Sequence, residues 1–515
     1  MTPPLPLNAR TVSQLEGLTD LQVPGYPLEE RRVGIVHFGV GGFHRAHQAL
    51  YLDRLSNAGH APDWAVCGVG LLPGDARMRD ALTAQDGLYT LVAKAPDGSR
   101  DARVIGSIAE YLYAPEDPAA VLTRLTQEQV RIVSLTVTEG GYNYNPSTRE
   151  FRADTTDVVH DLATDFADFA GEGAHPRTMF GYIVEALRRR REAGAMPFTV
   201  LSCDNIRGNG DLAKRMILAF AQLRDAELAQ WIAENVAFPN CMVDRITPVT
   251  SQEDRAMVAQ DYGVEDAWPV VSEDFLQWVL EDRFPAGRPA FEEVGVQMVD
   301  DVEPYELMKL RLLNCSHQVI AYFGLLLGHT YAHEACRDQD LVRLTRELYM
   351  DGEGTPTVPE VPGIDLAAYK DELLARFANE HVRDTLARLA AESSDRIPTW
   401  MVPVIRENLT AGREVRICAA VVASWARYAE GTGESGEQWP VTDRLRDRVT
   451  AAAARHDDDI LAFIRDEELF GDLAQQEAFT TPYAEALRML RAHGARTLLG
   501  EILHPEGGHD GGDRR

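Results

Sequence analysis

The stretch Val33-Gly34-Ile35-Val36-His37-Phe38-Gly39-Val40-Gly41-Gly42-Phe43-His44-Arg45-Ala46-His47-Gln48 decides the fold class. Val33 to Phe38 is a short, β-branched, apolar run and predicts a strand; after the glycines, Ala46, Ala49, Leu50 and Leu55 recur at helical spacing. Such a strand, glycine turn and helix are either an ordinary structural turn or a cradle for a dinucleotide, and the α/β pattern around them favours the cradle. The first glycine allows a tight turn, and the second lets backbone approach a pyrophosphate at a helix N-terminus. Gly39, Gly41 and Gly42 are therefore candidate cofactor residues. His44 stands where the fingerprint has its third glycine, which predicts looser packing of helix on strand.

Further strands are predicted at Trp64–Leu72, ending in Pro73-Gly74-Asp75, and at Arg131–Val137, running into Thr138-Glu139-Gly140-Gly141. Another, Phe198–Ser202, follows an Arg-rich helix and enters Cys203-Asp204-Asn205. Short apolar strands alternating with helices predict an α/β fold with a parallel sheet covered on both faces. Asp75, just beyond the second strand, is placed to meet a ribose hydroxyl, which favours NAD; Arg77 and Arg79 keep NADP open. After about residue 290 the pattern becomes helical, at 304–327, 341–350, 366–392, 413–429 and from 443 onward. The expected organisation is a Rossmann-type domain over 1–290, a mostly α-helical domain over 291–505 and a disordered tail over 506–515. Residues 1–31, polar and interrupted by proline, are expected on the surface.

Across 515 residues, 80 acidic side chains oppose 51 basic ones, a formal charge of −29 that repels phosphate backbones and anionic membranes. No nucleic-acid or membrane partner is expected. The most apolar stretch, Val319–Gly328, is far short of the roughly 20 residues a membrane span needs. The N-terminus has no apolar core of signal-peptide type, and six scattered cysteines make no Cys-x-x-Cys pair. These features predict a cytoplasmic protein with free thiols. Only four of the 51 cations are lysines: Lys94, Lys214, Lys309 and Lys370.

One of them lies in Asp301-Val302-Glu303-Pro304-Tyr305-Glu306-Leu307-Met308-Lys309-Leu310-Arg311-Leu312-Leu313-Asn314-Cys315-Ser316-His317, which opens with acids and a proline as helices do. At about 100° per residue, Glu306, His317 and Asn314 fall roughly 60°, 80° and 140° from Lys309, on the arc that also carries Leu310, Leu313 and Ile320. Polar groups on an apolar face are costly unless partnered. They form either a structural hydrogen-bond network or a reaction site, and a lysine that burial pushes toward its neutral form can act as a general base where arginine cannot. Tyr305-x-x-x-Lys309 also matches the Tyr/Lys pair of short-chain dehydrogenases, which would make the tyrosine the base, but those enzymes are shorter and space their glycines differently. His44/His47 and His329/His333 have metal-ligand spacing without a completing ligand, so no metal is expected.

These segments, with Ser202-Cys203-Asp204-Asn205 and Val243-Asp244-Arg245-Ile246, resemble the long-chain polyol-specific dehydrogenases over roughly residues 33–400. The resemblance implies an active site between a Rossmann-type and a helical domain, with metal-independent hydride transfer from C2 of a polyol to NAD. Mannitol and fructose are the first choice of substrate pair. Fructuronate, tagaturonate and arabinitol are the alternatives within the family. It further implies that Phe43, His44, Arg45, Ala46 and Glu139 join the glycines at the cofactor, that Lys309 is the general base, and that Asn205 and Asn314 hold the developing alkoxide. His317 would orient a substrate hydroxyl, Glu306 would gate proton exit, and Asp244, Arg388 and Arg396 would face the substrate, although lysine is expected at the last position. A monomer is expected. Outside the family, a non-catalytic dinucleotide-binding redox sensor would need the glycine turn but no buried lysine.

Overall fold

The computed structural model describes residues 3–17, 19–145, 150–166, 174–434 and 436–504, and the tail expected at 506–515 lies outside them. The chain divides into two compact units, Met1–Glu303 and Pro304–Arg515.

The first unit is built on strands β1 (Val33–Phe38), β2 (Ala65–Gly70), β3 (Ile108–Tyr113), β4 (Ile132–Leu135) and β5 (Thr199–Ser202). All neighbours run parallel, in the order β3-β2-β1-β4-β5. This is the doubly wound order of dinucleotide-binding folds, and its direction reverses between β1 and β4, the point at whose carboxyl ends such folds place their ligand. Alternate residues of β1 face opposite cores. Val36 and Phe38 pack with the helices Pro118–Thr126, Met179–Glu192 and Asn209–Arg224, while Ile35 packs with the helix Gln48–Asn57. Burial on both faces explains why β1 and β4 read as apolar runs interrupted only by His37 and Ser134, which bond each other. Strand β3 was not expected: it is the sheet edge, and its half-buried side chains include Glu110, Tyr111 and Tyr113.

Two antiparallel pairings were also absent from the sequence reading. Tyr89–Lys94 pairs with Arg100–Ile105, and Cys241–Asp244 with Gln277–Glu281. The segment expected on the surface contributes to the first of these sheets: Leu21–Gln22 pairs with Ala102 and Arg103, and Leu7, Val12, Leu15 and Leu21 are buried. Four well-spaced apolar residues were enough to anchor an otherwise polar arm. The boundary falls at Glu303 rather than 290, because Gln297–Val299 pairs with Val279–Glu281 inside the first unit.

The second unit is mostly helical. Its central element comprises an α-helix, Glu303–Met308, a π-helical segment, Lys309–Asn314, and a second α-helix, Cys315–Leu326. The last packs against Leu386–Ala390 and Arg416–Tyr428. Arg311 and Gln318, on the arc opposite the polar group, are buried too, Arg311 paired with Glu407 and Gln318 donating to the Leu389 carbonyl at 3.1 Å. Every residue from Met308 to Gly324 is buried, so the polar side chains among them need partners inside the fold. The helix expected over 366–392 is interrupted, and Ser393–Thr410 is helical despite Pro398 and Pro403 within it. No helix among the described residues is long and apolar enough to cross a membrane.

Candidate active site

The glycine turn follows β1 directly. Gly39 adopts φ 91°, and a Cβ there would lie 2.2 Å from the Thr136 carbonyl oxygen, so only glycine fits. Gly41 caps a short helix, Gly42–Ala46, and Gly42 faces Thr247. His44 does not loosen the packing. Its imidazole lies flat on that of His37 in β1, ring centroids 3.6 Å apart. The Thr136 hydroxyl donates to the Gly39 carbonyl at 2.7 Å and accepts from His37 Nε2 at 2.9 Å, which places the proton of His37 on Nε2. Burial pushes His37 down to about 3 and His44 well below the usual imidazole range, so both are neutral. Phe43 stacks on His47, 4.9 Å between centroids. Arg45 and Ala46 are buried behind the turn, the arginine donating to the Trp268 carbonyl and lying over Tyr89, the alanine carbonyl accepting from Arg245 at 2.6 Å.

Asp75 sits past the end of β2, where its carboxylate accepts the Leu71 and Leu72 amides, both at 2.9 Å. Arg77 lies over the Trp268 ring and Arg79 pairs with Asp80 and Glu116. Glu139 lies in the short helix Thr138–Gly141 after β4, and Asn205 just past β5; both are exposed. Asp244 ends the strand Cys241–Asp244 and is buried.

In the second unit, Lys309 opens the π-helical segment and Asn314 closes it. A π turn bonds residues five apart, so these two share one face more closely than the α-helical wheel indicated. Glu306, Lys309, Asn314 and His317 are all buried. Asn314 Nδ2 and His317 Nε2 are enclosed without a hydrogen-bond partner among the described residues. Both atoms are free to bond a molecule that enters beside them, as are other enclosed polar atoms such as Tyr182 Oη and Trp278 Nε1 elsewhere in the chain. Burial drives His317 well below the usual range, aided by Arg388, Arg376, Arg396 and Lys309, so a neutral imidazole faces the site. Phe377 flanks it, ring centroids 4.3 Å apart. Arg376 and Phe377 were missed by sequence reasoning, since nothing in their helix links them to His317 before folding.

Arg388 is held by Asp384 through two bonds, at 2.6 and 2.5 Å, and Arg396 donates to the carbonyls of Arg388 and Leu389 at 3.1 and 2.7 Å. Tyr305 donates to the Pro362 carbonyl at 2.9 Å, and burial raises its pKa, which disfavours a tyrosinate base. His47 Nε2 lies 2.8 Å from the Gln277 carbonyl, and no cluster of three metal-ligating side chains occurs among the described residues.

Residues 33–293 match the model of the mannitol dehydrogenase Rossmann domain, and residues 301–491 that of the mannitol dehydrogenase C-terminal domain. Mannitol 2-dehydrogenase of Phaeosphaeria nodorum is 45% identical over 96% of this chain and 85% of its own length. The structure of Pseudomonas fluorescens mannitol 2-dehydrogenase in ternary complex with NAD and D-mannitol aligns at a TM-score of 0.88 and 43% identity, covering 97% of this chain and 99% of that one. A D-sorbitol dehydrogenase in substrate-free form aligns at 0.85 and 36%, covering 96% and 100%. With both halves matched in order and nearly the whole length shared, the chain belongs to the mannitol dehydrogenase family.

Proposed function

We propose that this protein is an NAD-dependent mannitol 2-dehydrogenase, interconverting D-mannitol and D-fructose. The observation that carries the reading is the buried group of Lys309, Asn314 and His317, in which Asn314 Nδ2 and His317 Nε2 are enclosed and unbonded among the described residues, in a chain that also has a Gly39 turn where a side chain cannot fit. The turn's shape fits a dinucleotide pyrophosphate, and bound NAD supplies the hydride acceptor. Lys309 takes the proton of the C2 hydroxyl as hydride leaves. The amides of Asn205 and Asn314 donate to the developing alkoxide, a kind of stabilisation worth roughly 3 kcal/mol per donor. His317, neutral, bonds a neighbouring hydroxyl and fixes which carbon reacts. Glu306, one turn before the lysine, passes the proton on to water. Asp244, Arg388 and Arg396 bind the remaining hydroxyls, and Glu139 lies on the cofactor side. The working form is a cytoplasmic monomer, which light scattering at micromolar concentration tests.

The deciding assay follows NADH oxidation with fructose, fructuronate, tagaturonate and xylulose, and NAD reduction with mannitol, sorbitol and arabinitol. The proposal requires the highest kcat/KM for the mannitol/fructose pair. A higher value for a uronate or for sorbitol overturns the substrate, and no turnover with any of them returns the chain to the redox-sensor reading.

A further inference from the structure

Thr138, three residues past the end of β4 and the first of the Thr138–Gly141 helix, has φ 61°. A β-branched residue enters the left-handed region only where its surroundings impose it. The Asp204 carboxylate, just past β5, is what holds it. Oδ1 accepts the Thr138 amide at 2.7 Å, and Oδ2 accepts the Val137 amide at 3.1 Å and the Tyr142 hydroxyl at 2.7 Å. Tyr142, wholly buried, closes the Thr138–Gly141 helix and also lies 2.5 Å from Ser202 Oγ in β5. The backbone of Asp204 is fixed as well, its carbonyl accepting Asn209 Nδ2 at 2.9 Å and the Ile206 amide at 2.8 Å. On the other side of the same turn, Thr136 bonds the Gly39 carbonyl. Through the consecutive residues Thr136, Val137 and Thr138, hydrogen bonds therefore tie the glycine turn to Asp204, the residue before Asn205.

We propose that Asp204 is a positioning residue: it clamps the strained Thr138 turn and so holds Glu139, the next residue along, at a fixed place relative to Asn205, its own neighbour. This deepens the reading above and rests on it for the roles of Asn205 and Glu139. The carboxylate is suited to the work because the turn presents two adjacent N–H donors and a hydroxyl. Asparagine offers one oxygen and would set an NH2 against one of those donors.

The test is a double-mutant cycle of Asp204→Asn and Thr138→Gly, read as NADH Kd by fluorescence titration and as kcat and KM with fructose. Asp204→Asn is expected to raise the NADH Kd about tenfold and to lower kcat by a similar factor. Glycine adopts positive φ without a clamp, so in the Thr138→Gly background the same change should cost no more than about threefold. Tyr142→Phe, which removes one bond and keeps the ring, should move Kd in the same direction by about threefold and serves if Asp204→Asn does not fold. Equal losses in both backgrounds overturn the proposal, as does a lowered melting temperature with Kd and kcat unchanged. The Kd arm needs no turnover, so a parent protein inactive on fructose would sink the proposed function while the coupling between Asp204 and Thr138 still reads.

Discussion

The glycine turn and the lysine helix both hold a few atoms still inside a dense interior, by opposite means. At the turn the backbone leads. Strand ends bring Gly39 within a bond's reach of Thr136, and the position works because a side chain is missing. In the lysine helix the side chains lead, and the backbone departs from α geometry over Lys309–Asn314 to bring two of them onto one face. The first is a constraint of space and the second a constraint of register. They should therefore fail differently when disturbed.

The largest expected effect is chemical. Lys309→Ala should lower kcat on the order of 10³-fold while leaving the NADH Kd within about twofold, since a general base contributes to rate rather than to cofactor affinity. A Kd that rises in step with the fall in kcat would instead give the lysine a binding role. Gly39→Ala should do the reverse, weakening NADH binding and destabilising the first unit by about 3 kcal/mol or more, because the new Cβ meets a carbonyl at 2.2 Å and the φ of 91° is strained for alanine. Thermal unfolding with and without NADH separates these. A Gly39→Ala protein that binds NADH normally would mean that the turn can relax, against the spatial argument.

The same contrast explains what could be read before folding. The turn was legible because its signals are local: a β-branched run, the three turn glycines Gly39, Gly41 and Gly42, and a helix start occupy 14 consecutive residues from Val33 to Ala46. The strand order follows from such units laid end to end. The edge strand β3, with polar residues among its apolar ones, gave no comparable signal. In the second unit the residue types were legible, but their alignment was not, because an angle of about 100° per residue presumes an α-helix. Lys309 and Asn314 are brought together by a π segment that no local residue preference announces. Phe377 at His317, and Asp204 beneath Thr138, depend on chain segments distant in sequence and become visible only as contacts.

A smaller effect probes register alone. Tyr349, wholly buried, donates its hydroxyl to the Arg311 carbonyl at 2.6 Å, within the π segment. Removing the hydroxyl leaves that carbonyl buried without this donor, at a cost of about 1–3 kcal/mol. If the bond helps to keep Lys309 and Asn314 aligned, Tyr349→Phe should also lower kcat roughly fivefold to tenfold at unchanged NADH Kd. Stability lost with kcat intact would show that the π register is maintained by the packing around it instead.

The smallest effect compares the two regions through their histidines. His37 and His44 at the turn, and His317 in the helix, all have folded-state pKa values below the ordinary 6.5, driven first by burial. In each case the unfolded chain binds the proton more readily, so stability is fully present above pH 6.5 and is lost as pH falls from there toward the folded value, about 3 for His37. Asp53 and Asp204 act in the opposite direction, since burial raises both to about 6 and their contribution fades as pH rises from 3.8 to 6. Between pH 7 and pH 6 a histidine of this kind loses more than such a carboxyl gains, and His37 alone loses about 0.7 kcal/mol. His37→Gln should be less stable at pH 7, because it breaks the bonds to Ser134 and Thr136, yet lose less than the parent on moving to pH 6. Melting temperatures of both proteins at the two pH values give that difference of differences. A parallel fall would mean that His37 keeps its proton equilibrium on unfolding, and that its stack with His44 contributes nothing to the pH dependence of the turn.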